Sequence, residues 1–274
     1  MFKIIIMALL IFIGMVGYDN ITDKAQPTTP IQQEQQKVSK HEKSAAMALF
    51  TSLLPPKEEW PSPVHKFYLA FNMDEVIDPI RQNPNWTSLD AMSRDIPQAL
   101  IAIEDHAFYN HGAIAVEGIL RAALANINAG EVVQGGSTLT QQFVKNVFLS
   151  HEQSMERKIE EAVLSLMLED NYSKDEILEL YLNTTYFGAG STGIKQASRT
   201  YFGKAPSALT LAEAAVIASL PYAPTSLNPL ENPDGCKKRQ LLVLAAMHKY
   251  GMINQGQLAE AKTEKIRLTN GTVM

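Results

Sequence analysis

Cysteine is almost absent. One residue, Cys236, in a chain of 274 excludes an intrachain disulfide framework and any zinc cage built from thiolates. Alone, it reads as a small buried apolar side chain. A basic excess is also missing: 29 Asp and Glu against 24 Lys and Arg give a net charge of −5, which argues against a nucleic-acid binder. The six histidines are scattered and no H-E-x-x-H occurs, so that helix-borne metal site is excluded. Internal repeats are absent, and 15 glycines and 14 prolines are too few for a low-complexity chain. Strand signals are weak, which leaves a mainly α class.

Long apolar runs are confined to one place. Ile4–Tyr18 carries no charge. With Met1 and Phe2 it approaches the roughly 20 residues of a membrane span, and it also fits a signal-peptide core. No A-x-A site stands directly behind the run, which favours residues 1–18 as a retained anchor. Lys3 before the run and Asp19 and Asp23 after it put the N-terminus in the cytoplasm and the rest outside. Residues 19–60 read as a juxtamembrane spacer, Gln-, Thr- and Pro-containing at first, with a short helix within 41–60 that Pro55-Pro56 ends. Residues 61–90 give no clear assignment.

From about residue 90 the chain is punctuated as helices. One starts near Pro97. A second covers about 115–129 and stops at Gly130. A third follows Gly135-Gly136 with Ser137 or Thr138 as its N-cap, and a fourth covers about 154–169. Capping boxes at Ser173/Glu176 and Thr210/Glu213 open a fifth and a sixth. A seventh spans about 236–250, and an eighth starts near Gln255.

Three clusters could carry chemistry. Thr138, Gln141, Gln142 and Lys145 share one face of the third helix, with Leu139, Phe143, Val144 and Val147 largely opposite. The glycine pair before them admits close approach of a ligand, the helix start favours an anion, and a lysine suits phosphate. Arg157, Lys158 and Glu161 lie together on the fourth helix, away from a stripe of Met155, Ile159, Ala162, Val163 and Leu166. Glu104 and Asp105 close an apolar helix, where partial desolvation would raise a carboxyl pKa and fit it for general-base work. By spacing alone the blander readings are favoured for the first two clusters, an ordinary solvated face and an i,i+4 ion pair, and the third reads also as a helix-end acid facing water.

Glu104-Asp105-x-x-Phe108-x-x-His111 resembles the first motif of the family 51 glycosyltransferases, the peptidoglycan glycosyltransferases. GGSTLTQQ (135–142) with Lys145-Asn146 resembles the second, and Arg157-Lys158-x-x-Glu161 the third. Lys174-x-x-Ile177-Leu178-x-x-Tyr181-x-Asn183 with Tyr186-Phe187-Gly188 resembles the fourth, and 209–229 the fifth. All five stand in the family's order within 95–265.

The resemblance implies a lysozyme-like helical core lobe with a smaller jaw lobe at about 112–135, the whole glycosyltransferase domain spanning 61–268. It implies polymerisation of lipid II into β-1,4-linked glycan with release of undecaprenyl pyrophosphate. Glu104 is then the general base. Lys145 and Arg157 neutralise the leaving group, and Glu161 positions it directly or through a divalent ion, Mg or Mn. Ser137, Thr138, Gln141, Gln142 and Asn183 line the donor side, and Asp105, Phe108, His111, Asn146 and Lys158 complete the substrate site. No organic cofactor is implied. The implied partners are the growing lipid-linked glycan, the membrane, moenomycin-type inhibitors and cell-wall synthesis proteins, with the domain on the extracytoplasmic side.

Three positions depart from the family's pattern: Ala113 for the glycine that closes the first motif, Ala115 for an aspartate, and Gln153 for an arginine. No Ser-x-x-Lys or Lys-Thr-Gly occurs, so no transpeptidase domain is expected. A lipid II-binding scaffold of the same fold and a lysozyme-like hydrolase are the competing readings.

Overall fold

The structure, a computed structural model, describes residues 68–70, 72–119, 135–149 and 154–274. The expected anchor, spacer and 41–60 helix, most of the jaw with the 115–129 helix, and Gln153 lie outside the described residues. Among the described residues no helix is long and apolar enough to cross a membrane.

The chain divides into two units, Met1–Glu75 and Val76–Met274. In the first, a helical stretch at 68–70 is followed by a turn in which Asn72 N donates to Tyr68 O over 3.0 Å. Helix α1 (Asp74–Arg81) begins there and runs on into the second unit.

The second unit is mainly α. It holds α2 (Asp95–Glu104), α3 (Leu139–Phe148), α4 (Met155–Asn171), α5 (Lys174–Thr184), α6 (Ile194–Phe202), α7 (Leu211–Ser219), α8 (Pro233–Lys249) and α9 (Gln255–Thr263). Strand pairing among the described residues is limited to two isolated bridges, Tyr186 with Thr192 and Arg267 with Val273.

Helix starts follow local chemistry. The side chains of Thr138, Ser173, Thr210 and Asn254 each accept the backbone N–H of Gln141, Glu176, Glu213 and Gln257, whose side-chain oxygens in turn accept the capping residue's backbone N–H, satisfying backbone donors that a helix start leaves orphaned. Ser154 and Asn232 cap α4 and α8 by side chain alone. Helix α2 begins at Asp95, two residues before the expected Pro97, because proline is equally at home inside a first turn.

Helices α1 and α6 carry no start signal in the sequence. α1 is eight residues long and contains Pro79, normally a breaker. α6 opens on Gly193, which has no side chain to cap with and sits at φ +83°. A Cβ there would stand 2.7 Å from the Asn183 carbonyl oxygen, so position and conformation both require glycine.

Two packing groups form the core. Helices α2, α7 and α8 pack mutually, while α3 packs on α4 and α5. In α7 every residue from Ala212 to Ser219 is buried, so it serves as the central rod of the first group. In α3, Leu139, Phe143 and Val144 are fully buried, each stabilising the fold by about 1.5–3 kcal/mol. The C-terminal end of α2 brings Glu104 to the meeting point of the two groups.

Helix α4 departs from expectation. Met155 and Ile159, placed on an inward stripe by spacing, are 78% and 54% exposed. Glu161, Ser165 and Leu168, spaced i, i+4, i+7, face inward instead. A polar stripe can turn inward because it brings its own partners: Lys158 and Arg157 for the Glu161 carboxylate, and the Glu161 carbonyl for the Ser165 hydroxyl at 2.6 Å.

Candidate active site

Glu104 is the last residue of α2. Its Oε2 accepts one hydrogen bond, from Gln142 Nε2 on α3 at 2.9 Å. The Gln142 carbonyl in turn accepts from the hydroxyl of Tyr181 on α5 at 3.0 Å. Tyr181 is fully buried, and burial together with the Glu104 charge pushes its phenol far above the usual range, so it remains a donor. The chain Tyr181–Gln142–Glu104 therefore fixes which way the amide points and leaves Glu104 Oε1 without a bond among the described residues.

Burial pushes the Glu104 carboxyl above the usual carboxylate range. The Gln142 bond and the charges of Arg239 and Lys145 pull the other way without cancelling the rise, and Asp105 adds to it. No cation forms an ion pair with Glu104 among the described residues. A desolvated carboxylate with one oxygen open is the arrangement a general base needs.

Asp105 is used differently. Its Oδ2 accepts from the backbone N–H of Leu139, the first residue of α3, at 3.0 Å, and its Oδ1 meets His111 Nε2 at 2.6 Å. His111 Nδ1 lies 2.6 Å from the Gly112 carbonyl. Both ring nitrogens face acceptors, so the ring fits best as imidazolium. Burial works against that charge, but the bonds to Asp105 and Gly112 outweigh it and the pKa is raised. Asp105 and His111 thus lock the α2 end to the start of α3. Phe108 is buried under the Lys174 ammonium, which stands 4.5 Å from the ring centroid and also reaches Glu169 at 2.7 Å.

The second cluster splits. Lys145 and Asn146 are exposed, and Lys145 donates no hydrogen bond among the described residues. Thr138 and Gln141, expected on a polar face, are buried in the α3 capping box, with the Thr138 hydroxyl also donating to Ala113 O at 2.8 Å. Asn183 is committed to scaffold: its Oδ1 accepts from Thr87 N at 2.8 Å, and its Nδ2 donates to the Thr87 and Glu179 carbonyls at 2.8 Å.

In the third cluster Glu161 is 1% exposed. Lys158 pairs with its Oε1 and Arg157 stands 3.8 Å from its Oε2. Lys158 also donates to Ser137 Oγ at 3.2 Å, bridging α4 to the loop before α3. With both Glu161 oxygens facing cations, and no group of three or more His, Cys, Asp or Glu able to hold a metal among the described residues, these side chains do not fit a protein-held divalent ion.

Of the departures, Ala113 is buried and contributes only its carbonyl to Thr138. Ala115 precedes a helical stretch at 116–119 and accepts the Ile119 N–H through its backbone at 3.0 Å. It occupies an N-cap position with no side chain to cap with.

Two further residues were not singled out by sequence, Arg239 outside the five motifs and Tyr222 within the fifth. Arg239 on α8 lies in the run Lys237-Lys238-Arg239, which reads as a solvated face. Tyr222 follows α7 in a short 3-10 turn. The Arg239 guanidinium stacks 4.0 Å over the Tyr222 ring.

A family model described as Transglycosylase matches residues 73–248. A putative transglycosylase of Cupriavidus necator is 41% identical over 194 residues, covering 71% of this chain and 84% of that protein. Penicillin-binding protein 1A of Neisseria flavescens is 44% identical over 185 residues, 68% of this chain and 23% of that protein. Among solved structures, penicillin-binding protein 1A from Haemophilus influenzae matches at 33% identity over 48% of this chain and 16% of that one, with a TM-score of 0.34. The chain thus spans most of the first relative and about a quarter of the second.

Proposed function

The chain belongs to the transglycosylase family, and from that premise we propose that it polymerises lipid II into β-1,4-linked peptidoglycan glycan. Supporting this reading is one observation above the rest: Glu104 is desolvated, held through one oxygen by a neutral amide and paired with no cation among the described residues.

Glu104 Oε1 takes the proton of the acceptor's GlcNAc 4-hydroxyl. That oxygen attacks C1 of the donor's terminal MurNAc with inversion, forming the β-1,4 bond. The bond from C1 to the diphosphate breaks and its electron pair leaves on undecaprenyl pyrophosphate. Charge grows on the leaving oxygens, where preorganised cations are worth most. Lys145, exposed and unpaired, and Arg157 supply them. Glu161 with Lys158 holds Arg157 and Ser137 in place. Gln142, Ser137 and Asn146 complete the donor side.

On the same reading residues 61–268 form the glycosyltransferase domain, with the described helices as a lysozyme-like core lobe and a jaw lobe at about 112–135. The reaction runs at the outer face of a membrane because both substrates are lipid-linked, with residues 1–18 as anchor. Moenomycin-type inhibitors would compete for the donor side. The hydrolase reading is disfavoured, since Glu161 is ion-paired and supplies no second free carboxyl.

The test is to incubate the purified chain with lipid II, with and without chelator, and to resolve the products. Glycan polymer with one undecaprenyl pyrophosphate released per bond is expected. Bound lipid II without polymer would favour the scaffold instead, and free reducing ends from finished peptidoglycan the hydrolase.

A further inference from the structure

Among the described residues Arg239 has no ion-pair or hydrogen-bond partner, and it stands on α8, which packs on the helix that ends in the proposed base. Its Nε is buried and bonds to nothing, and none of its nitrogens forms a hydrogen bond or an ion pair among the described residues. Leaving such a group unsatisfied is costly. The side chain is braced by packing alone, its guanidinium lying flat on Tyr222. Tyr222 is 64% exposed, so the pair opens to solvent. The Arg239 charge reaches Glu104 and lowers its pKa, as the Lys145 charge does.

The two cations belong to different packing groups. Lys145 stands on α3 and Arg157 on α4, which pack together. Arg239 stands on α8, which packs on α2 and α7. Glu104 sits where the groups meet, and its proton comes from the acceptor. An anion held by Lys145 and Arg157 therefore leaves Arg239 for a second anion on the acceptor.

Resting on the reaction proposed above, we propose that Arg239, braced by Tyr222, binds an oxyanion of the acceptor and so sets the acceptor hydroxyl against Glu104. The fork geometry of arginine suits either of two sources, the acceptor's diphosphate or a carboxylate of its peptide stem.

The experiment uses the full chain with two analogues that separate the roles. A 4-deoxy lipid II can donate but not accept. A lipid II in which methylene replaces the oxygen joining C1 to the diphosphate can accept but not donate, because the bond that must break is gone. Coupling is followed at saturating donor and varied acceptor. R239Q raises the acceptor KM roughly tenfold or more, the loss of a charge-assisted bond, and leaves the donor KM unchanged. K145Q does the reverse. Y222A, changed at an exposed site, raises the acceptor KM roughly two- to fivefold and gives a reading even where R239Q fails to fold.

Repeating the comparison with a neutral methyl glycoside in place of the C1-methylene diphosphate, or with amidated stem carboxylates, identifies the anion. The change that erases the difference between wild type and R239Q has removed it. An R239Q or Y222A enzyme with unchanged acceptor KM, a defect that falls on the donor, or one that survives both acceptor changes overturns this inference and leaves the proposed reaction standing. A wild-type chain that couples nothing and makes no glycan overturns the reaction and this inference with it.

Discussion

Glu104 and Glu161 are the same side chain in opposite surroundings. Glu104 ends α2 between two packing groups, touched by one neutral amide and left with an open oxygen. Glu161 sits in the middle of α4 with Lys158 on one oxygen and Arg157 near the other. Burial without a counter-charge raises the proton affinity of the first. Close cations pair with the second. One carboxylate can therefore take up a proton during a reaction, while the other organises positive charge. Glu104 is kept at some cost in stability, and Glu161 is part of what keeps α4 and the loop before α3 together.

Substitutions can break that contrast. Glu104→Gln should cut polymerisation by about 10²- to 10⁴-fold, the usual worth of a positioned base, measured as initial rate with lipid II. The same variant should not lower the melting temperature. A carboxyl whose pKa is raised by folding contributes stability below the ordinary glutamate pKa and loses it as pH rises through the folded value, so at neutral pH its removal costs nothing. Lys145→Gln should lower the rate by about 10²-fold through loss of leaving-group stabilisation, again with an unchanged melting curve.

Glu161→Gln should behave in the opposite sense. It strands Lys158 and Arg157 and should cost about 1–3 kcal/mol of stability by denaturant unfolding, the cost of an unpaired charged group. A smaller effect is expected of Asp105→Asn, about 1 kcal/mol, with a fall in the His111 pKa measurable by NMR. The His111 pKa is raised, so the stability carried by this pair is present below the unfolded histidine pKa and is lost as pH rises through the folded value. Least of all, Ala115→Asp should stabilise by about 0.5–1 kcal/mol in thermal unfolding by supplying the cap the 116–119 stretch lacks.

Much of this was legible in the sequence because it depends on local chemistry. The caps at Ser173 and Thr210 lie within four residues of what they bond, and the helices that follow are where the spacing puts them. The proposed base at Glu104 and the proposed leaving-group cations at Lys145 and Arg157 were legible as candidates from motif resemblance. What was not legible depends on tertiary placement. Periodicity turned α4 the wrong way because it counts apolar side chains and cannot see that Glu161 brings its own counter-ions. Thr138, Gln141 and Asn183 look like a polar face, yet their atoms are taken by a helix cap and by the backbone at Thr87 and Glu179. Arg239 looks like one more surface base in a run of three. Only the packing of α8 on α2 and α7 sets it beside Glu104.

The central claim is that the Glu104 carboxylate takes the acceptor's proton with Gln142 as its one hydrogen-bond donor. The measurement that tests it most directly is the pH dependence of kcat/KM for lipid II polymerisation in wild type and Gln142→Leu. The wild-type rate should rise with pH along an acid limb set above the ordinary carboxylate range. Removing the Gln142 bond, which lowers the Glu104 pKa, should move that limb to still higher pH. An acid limb in the ordinary carboxylate range, or one that stays in place in Gln142→Leu, would contradict the assignment.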